Sequence, residues 1–366
     1  MVSPDIIEKV GDYRIREQSF EEIQSNTEIP FTICGVNPYG YYQNVRRFVA
    51  DLDDTIVGDS WTMTSRYNPW GKLAHFGMFS EEHKRKGLGG RLLKLSTEAV
   101  RQAEMEAMFI DTGPSIAHLV YEKYGFRDVL PNHPEWLGMA FNGQTIQEYH
   151  AAWFEIGQEP LEVRPLDFSH LIEIQVLLNA SADPNILVKN YLMTLFADDQ
   201  VHEGQIMVEL VKLSEPRPQE RKIRMMGLFS GPKLIGFSTI APWRTTQWDN
   251  GHEFHIGLMD IYLYPPLWRL DRCKFFFEQI VHIAKEEMGL SRLRAMETPR
   301  QNVKTGILSD LGFKLKFEMP DQIMLGEGDP ERGTYQACRF ENLAVYEIAL
   351  EDPKVFTHPY RIPWDY

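Results

Sequence analysis

Apolar and polar positions alternate loosely over residues 45–53, 55–65 and 72–79, and their β-branched and aromatic content predicts three strands. After residue 79 the period changes. Over 89–105, Leu92, Leu93, Leu95, Val100 and Ala103 recur at a mostly helical spacing. Ala107 to Asp111 predicts a short buried strand. Ser115 to Lys123 predicts a second helix, ended by Gly125, which suits a left-handed C-terminal cap. Phe126 to Leu130 and Trp136 to Phe141 predict the last strands of this half. Further strands are expected near 161–165, 203–213, 222–230, 233–242, 253–264, 292–297 and 341–350, with a long helix over 270–288.

The two halves read as degenerate copies. Ile15-Arg16 followed by Phe20 recurs as Val163-Arg164 followed by Phe168, an offset of 148 (163 − 15). Phe79-Ser80-Glu81 aligns with Leu263-Tyr264-Pro265 at 184 (265 − 81), and Gly125-Phe126 with Gly312-Phe313 at 187 (312 − 125). The second copy is therefore longer, nearly all in its first half. Gly143, Gly157 and Pro160 punctuate the chain between them. We expect an α/β (α+β) protein of two units, 1–150 and 151–366, each with a mixed sheet.

Composition narrows the class. The 366 residues suffice for two domains. No apolar run approaches the roughly 18 residues of a membrane-spanning helix, and MVSPDIIEKVGD has no signal-peptide core. Cys34, Cys273 and Cys338 form neither a metal pattern nor an even disulfide set, which points to packing roles in a reducing cytoplasm. With 38 Lys and Arg against 52 Asp and Glu, the net charge is −14. That disfavours nucleic acid and anionic membranes as partners and suits a cationic substrate, though acidity for solubility explains it equally well.

Candidate chemistry concentrates in His83 to Leu93, HKRKGLGGRLL. Lys84, Arg85 and Lys86 run into Gly87, Leu88, Gly89 and Gly90, and Arg91 follows inside the helix. Glycines permit a tight turn and close approach, and a helix N-terminus offers free N–H groups and a favourable dipole to an anion. A pyrophosphate is the expected ligand. The P-loop pattern is absent; its nearest approach, Gly231 to Ser238, has Phe237 at the lysine position and suits a Gly-Pro hairpin turn. A dinucleotide fold lacks its third glycine, since Leu92 stands there. The charged segment Ser80 to Lys86 also separates strand from glycine, although Asp111 ends the next strand near where a ribose-binding acid belongs. A bare solvated basic loop is the remaining alternative.

Two motifs carry a resemblance. FSEEHKRKGLGGRLL resembles the acyl-CoA signature [QR]-x-x-G-x-[GA] of the GNAT superfamily of N-acetyltransferases, with Lys84 in place of the usual Arg or Gln. SIAHLVYEKYGF, from Ser115 to Phe126, is similar to that superfamily's second signature, and the separation fits. The resemblance implies two tandem GNAT-like domains with mostly antiparallel sheets flanked by helices. It implies acetyl-CoA as co-substrate, no metal, and direct attack by an amine in a ternary complex. The backbone of Gly77, Met78 and Phe79 is then expected to grip the pantetheine and polarise the carbonyl. Ser115 and His118 replace a frequent asparagine and a frequent small residue near the cofactor.

The chemistry demands a proton acceptor, because an alkyl ammonium has a pKa near ~10.4 in water, and donors for the oxyanion and the departing sulfur. Tyr121 matches the family's general acid, while Tyr124 suits packing. His75, on the strand before the cradle and near the place of the family's glutamate, is the first candidate base. Glu81, Glu82, Asp51, Asp53 and a water relay are alternatives. In the second copy Asp271 and Cys273 stand for Gly87 and Gly89, and Leu308 for Tyr121, so one active domain is expected.

The segment from Gln18 to Asn44, broken by Gly35, Pro38 and Gly40, is short for the lid the family uses. We therefore expect the C-terminal domain to complete the acceptor site, with Trp243, Trp248, Asp249, His252 and Glu253 as possible lining. A chain with an active first half and a degenerate second half resembles self-resistance acetyltransferases of the paenilamicin and zwittermicin type. That resemblance implies a cationic, amine-bearing, peptide-like antibiotic as acceptor, in a monomer or homodimer. A protein or peptide N-acetyltransferase and a non-catalytic acyl-CoA-sensing module are the rival readings.

Overall fold

A computed structural model of the chain describes residues 6–19, 22, 43–112, 115–130, 136–155, 157, 159–178, 188–189, 195–196, 224–242, 256–267, 270–298, 302–329 and 334–350. The first sheet contains β1 (Ile6–Val10), β2 (Tyr13–Gln18), β3 (Arg46–Leu52), β4 (Thr55–Thr64), β5 (Trp70–Met78), β6 (Ala107–Asp111), β7 (Arg127–Asp128) and β8 (Trp136–Ala140). Across the sheet the order is β1-β2-β3-β4-β5-β6-β8-β7. Every neighbouring pair is antiparallel except β5 and β6.

The second sheet is built from β9 (Leu161–Pro165), β12 (Arg224–Ser230), β13 (Lys233–Pro242), β14 (Ile256–Leu263), β15 (Arg292–Glu297), β16 (Lys314–Asp329) and β17 (Thr334–Ala349). A separate two-stranded ladder pairs β10 (Val188–Lys189) with β11 (Leu195–Phe196). The large sheet runs β9-β12-β13-β14-β15-β17-β16, and only β14 and β15 are parallel. This matches the first sheet from β2 onward, strand for strand. The fold is α/β, with two mixed sheets flanked by helices.

Helix α1 (Leu88–Gln102) crosses from β5 to β6, and α2 (Ser115–Lys123) follows β6. Leu88, Leu92 and Ala99 pack α1 onto Ile15, Phe48, Ala50 and Val57. Further along, Leu93 and Val100 join Leu73, Met108, Ile110, Tyr121 and Phe126. The second sheet repeats the arrangement with α5 (Leu270–His282), continued by a π-helical turn Ile283–Glu287, and α6 (Asn302–Asp310).

The halves meet across a shared core. Helix α3 (Ile146–Trp153) and helix α4 (Leu171–Leu178) lie in it, and every residue of α4 is buried. Met63, Trp70, Phe109 and Trp136 from the first sheet and Phe237 and Tyr262 from the second surround Leu171, Ile174 and Leu177. A helix covered on all sides must be apolar all round. The two polar residues of α4 therefore find partners. Lys72 Nζ on β5 donates to Gln175 Oε1 at 2.6 Å. Asn68 Nδ2 donates to Glu173 Oε1 at 3.0 Å, and Ser65 Oγ donates to the same oxygen. Tyr67 stacks on His170 at 4.4 Å between ring centres.

Several expectations shift. The stretch expected to punctuate the halves contains α3, started by a capping box in which Thr145 and Glu148 satisfy each other's backbone N–H groups. Phe126 to Leu130 reduces to the two-residue β7, and the strand expected at 341–350 is the C-terminal part of the longer β17. The strand expected at 203–213 lies outside the described residues.

The buried Glu173 gives a pH prediction. Burial pushes its carboxyl above the ordinary 4.5, against the pull of the Ser65 and Asn68 donors. A raised carboxyl contributes stability that is present below the ordinary range and is lost as pH rises through the folded value. Glu173→Gln should therefore melt higher than wild type at pH 8, by roughly 2–4 °C for about 1 kcal/mol, and the gap should close at low pH. Thermal scans across that range check it.

Candidate functional site

The site begins where a ladder ends. β5 and β6 pair in parallel from Trp70↔Ala107 to Leu73↔Ile110 and no further. Beyond Leu73, β5 continues to Met78 bonded to β4 alone, so the two strands diverge toward their C-terminal ends. Both following helices start at that opening, which aims two helix N-termini toward the gap. Phe79 N–H is taken by Val57 O at 2.9 Å, on the β4 side.

A bulge sets the faces. Trp61 pairs with His75 and Thr62 with Leu73, so Ala74 is the extra residue. The bulge breaks the two-residue alternation. Phe76 thereby shares the α1 face with Leu73, and His75 shares the α4 face with Lys72.

The cradle forms at the start of α1. Gly87 is its N-cap, left-handed at φ 82°, and no side chain caps the helix. A β-carbon at Gly87 would meet nothing within 4 Å, so the space before the free N–H groups is open. This fits a phosphate. Gly89 and Gly90 also permit close packing. A β-carbon at Gly89 would lie 3.2 Å from Phe76 Cζ, and one at Gly90 would overlap the Tyr124 hydroxyl. Leu88 is buried in the core.

The cations are partly engaged. Lys84 pairs with Glu81, Lys86 Nζ donates to Tyr13 Oη at 2.7 Å, and Arg91 Nε stands 3.4 Å from Glu8. Exposed ion pairs of this kind are worth ~0–1 kcal/mol and exchange readily for a phosphate. Arg85, with φ 61°, is exposed and forms no ion pair among the described residues.

On α2, Tyr121 is buried, with its ring 5.6 Å from Phe76 and 6.0 Å from Phe126. Burial pushes its phenol well above the usual range. His118 Nε2 lies 2.7 Å from Asp128 Oδ1, so this histidine is engaged with β7. Ser115 begins α2. Met78 is half-buried and Phe79 is 55% exposed at the mouth of the opening.

His75 is half-exposed on the α4 face, with Nε2 3.2 Å from Asp59 Oδ1. Among the alternative bases, Glu81 and Glu82 are exposed and paired with Lys84 and His83. Asp51 is buried against Arg16 Nε at 2.6 Å, and Asp53 occupies a left-handed turn. The Asp59 contact escaped sequence reading. Its signal was a pair of charges, Arg47 and Asp59, inside strands otherwise rich in apolar residues.

The second sheet has the same opening and fills it. β14 and β15 pair only from Ile256↔Arg292 to Met259↔Ala295. Just beyond, Lys304 Nζ of α6 meets Asp260 Oδ1 at 2.6 Å and Glu297 Oε1 at 2.9 Å. Burial opposes the charge on Lys304, but the two carboxylates outweigh it and keep the amine protonated. Cys273 is buried, with Sγ 3.0 Å from Leu267 O, and Leu308 is buried at the position matching Tyr121.

Among the described residues, no His, Cys, Asp and Glu side chains group as a metal site, and no helix is long and apolar enough to cross a membrane. Trp243, Trp248, Asp249, His252 and Glu253 lie outside the described residues, as does the segment 23–42.

No family model matches the chain, and no curated protein does. Solved structures overlap about half of it. An acetyltransferase of the GNAT family from Streptococcus pneumoniae is 14% identical, with a TM-score of 0.38 over 52% of this chain and 99% of its own. YncA of Salmonella typhimurium, solved with its cofactor acetyl-CoA, is 13% identical, with a TM-score of 0.37 over 52% and 95%. The ribosomal-protein-S5-alanine acetyltransferase of Vibrio fischeri is 17% identical, with a TM-score of 0.38 over 54% and 96%. Likeness at this level assigns neither family nor activity to this chain.

The seating of α1 is testable. A β-carbon at Gly71 on β5 would overlap Val100 Cγ1 and lie 3.0 Å from Cγ2. Gly71→Ala should cost about 1–3 kcal/mol in denaturant unfolding, and Val100→Ala in the same chain should recover part of it.

Proposed function

We propose that the chain is an acetyl-CoA-dependent N-acetyltransferase of the GNAT type. Its active site lies in an N-terminal domain, 1–150, and a degenerate second copy, 151–366, serves packing and the acceptor side. One observation carries the reading. The first sheet opens onto an uncapped helix N-terminus beside Gly87, whereas the equivalent gap in the second is occupied by Lys304, Asp260 and Glu297.

In this reading Lys84, Arg85, Lys86 and Arg91, with the N–H groups from Gly87 to Gly90, hold the pyrophosphate. The free edge of β5 near Met78 and Phe79 holds the pantetheine, with Ser115 and His118 bordering it. A neutral amine attacks the thioester carbonyl, a C–N bond forms, and His75 takes the ammonium proton. The C–S bond then breaks.

The role of Tyr121 follows from magnitudes. An ordinary phenol titrates about 1.5 units above an ordinary thiol, so full proton transfer to the leaving thiolate is uphill by roughly 2 kcal/mol. Burial raises the phenol further. Tyr121 therefore acts by donating a hydrogen bond to the sulfur while keeping its proton, and the thiolate takes its proton afterwards from solvent.

The acceptor is a primary amine on a cationic, peptide-like small molecule, consistent with antibiotic self-resistance in the cytoplasm. The net charge of −14 and the seat of α4 against β5, the strand that carries His75, support an acidic, two-domain acceptor site. The protein works as a monomer or homodimer.

Thiol release from acetyl-CoA, measured against cationic peptide antibiotics, aminoglycosides, polyamines and short peptides, tests this. Turnover should appear with the peptide antibiotics. Tyr121→Phe should lower kcat about 10²- to 10³-fold, as loss of one fixed transition-state donor does. Tight acetyl-CoA binding with no turnover on any acceptor would instead define a non-catalytic acyl-CoA-binding module.

A further inference from the structure

We propose that Asp59 is a positioning residue for His75, fixing the tautomer and the charge state in which the imidazole accepts the amine proton. The inference rests on the reading of His75 as the base. Neither Asp59 nor its partners belong to the acyl-CoA cradle.

Asp59 is 2% exposed on β4, on the α4 face of the sheet. Its Oδ2 is saturated. Arg47 Nε donates to it at 2.8 Å, Arg47 Nη2 at 2.5 Å and Trp61 Nε1 at 2.9 Å. Arg47 is itself fixed, with Nη1 on Gln18 Oε1 at 2.6 Å and its guanidinium over the Trp61 ring at 4.9 Å. Oδ1 is buried and has no hydrogen-bond partner among the described residues, and His75 Nε2 stands 3.2 Å from it.

The charge state follows. Burial works against an ionised Asp59, but His75 and Arg47 outweigh it and hold the carboxyl below the usual range. An ionised carboxylate accepts and cannot donate. A neutral His75 can satisfy Oδ1 only with its hydrogen on Nε2, and Nδ1 then keeps the lone pair. That nitrogen takes the proton released by the attacking amine. The imidazolium so formed faces a full negative charge, while Asp59 remains ionised and takes no proton itself.

Among the described residues, Asp59 is the dominant partner of His75. From β4 the group facing His75 is Asp59, and from β3 it is Arg47, already bound to that carboxylate. On β5 Lys72 shares the face but is tied to Gln175 of α4, and Glu173 of α4 is held by Ser65 and Asn68. Gly77 shares the face too, and a β-carbon there would come within 3.8 Å of Nε2. The helices α1 and α2 lie on the other face.

Nitrogen-15 NMR of the full chain with labelled histidine reads the tautomer directly, and His75→Gln identifies the signal among 11 histidines. Wild type should show the Nε2–H tautomer in its neutral state. Asp59→Asn should mix the tautomers and lower kcat about 10- to 100-fold, with KM for acetyl-CoA unchanged. Asp59→Glu should recover part of both. An Nδ1–H tautomer in wild type overturns the proposal, as does an Asp59→Asn chain with unchanged tautomer and kcat. If Asp59→Asn does not fold, the wild-type tautomer alone decides. Full activity in His75→Gln sinks the reading of His75 as base, whatever the tautomer; a chain with no acetyl transfer leaves the NMR test of the Asp59–His75 pair intact.

Discussion

The parallel ladder between β5 and β6 stops at Leu73↔Ile110, and the rest of the site depends on that stop. Two strands that diverge expose backbone N–H and C=O groups along their inner edges. Such groups are costly to bury without partners, so the gap requires an occupant. Both halves have the gap, because both have the same strand order and the same single parallel pair. They resolve it differently. The second half supplies Lys304 from within, neutralised by Asp260 and Glu297. A buried ion cluster carries a desolvation cost that only close geometry offsets, and once formed it is expensive to break. In the first half, Ala74 and Ala117 stand near the equivalent places and bring no charge. That gap opens instead toward an uncapped helix.

The faces of the first sheet carry separate tasks. One packs α1 and α2 and carries Tyr121. The other packs α4 and carries His75, Asp59 and Arg47. The Ala74 bulge sets this division, since it places His75 on the face of Lys72 and Phe76 on the face of Leu73. Helix α4 then couples the halves. It is buried on all sides, and its polar contacts reach Ser65 and Asn68 just before β5 and Lys72 on β5, the strand that carries His75.

Much of this was legible in the chain. Period alone placed β6, α2, β9, β13 and β15, since each is a compact run bounded by turn residues. The Gly87 cap was legible because a left-handed N-cap beside a basic cluster has few other sequences. The bulge was not, because it exists only in the register between β4 and β5. Helix α4 escaped because a helix buried all round has no amphipathic period to detect. The close approach of Gly89 to Phe76 and of Gly90 to Tyr124 was not legible, since a packing contact and a ligand contact need the same residue type. The capping box at Thr145 and Glu148 was in plain view, but nearby glycines suggested a break in the chain.

Calorimetric titration of the full chain with acetyl-CoA tests the central claim most directly, because it counts openings able to take the ligand. One molecule should bind per chain, with affinity reduced by Gly87→Val and unchanged by Lys304→Met if that chain folds. Two molecules per chain, or one whose binding ignores Gly87→Val, would contradict the account.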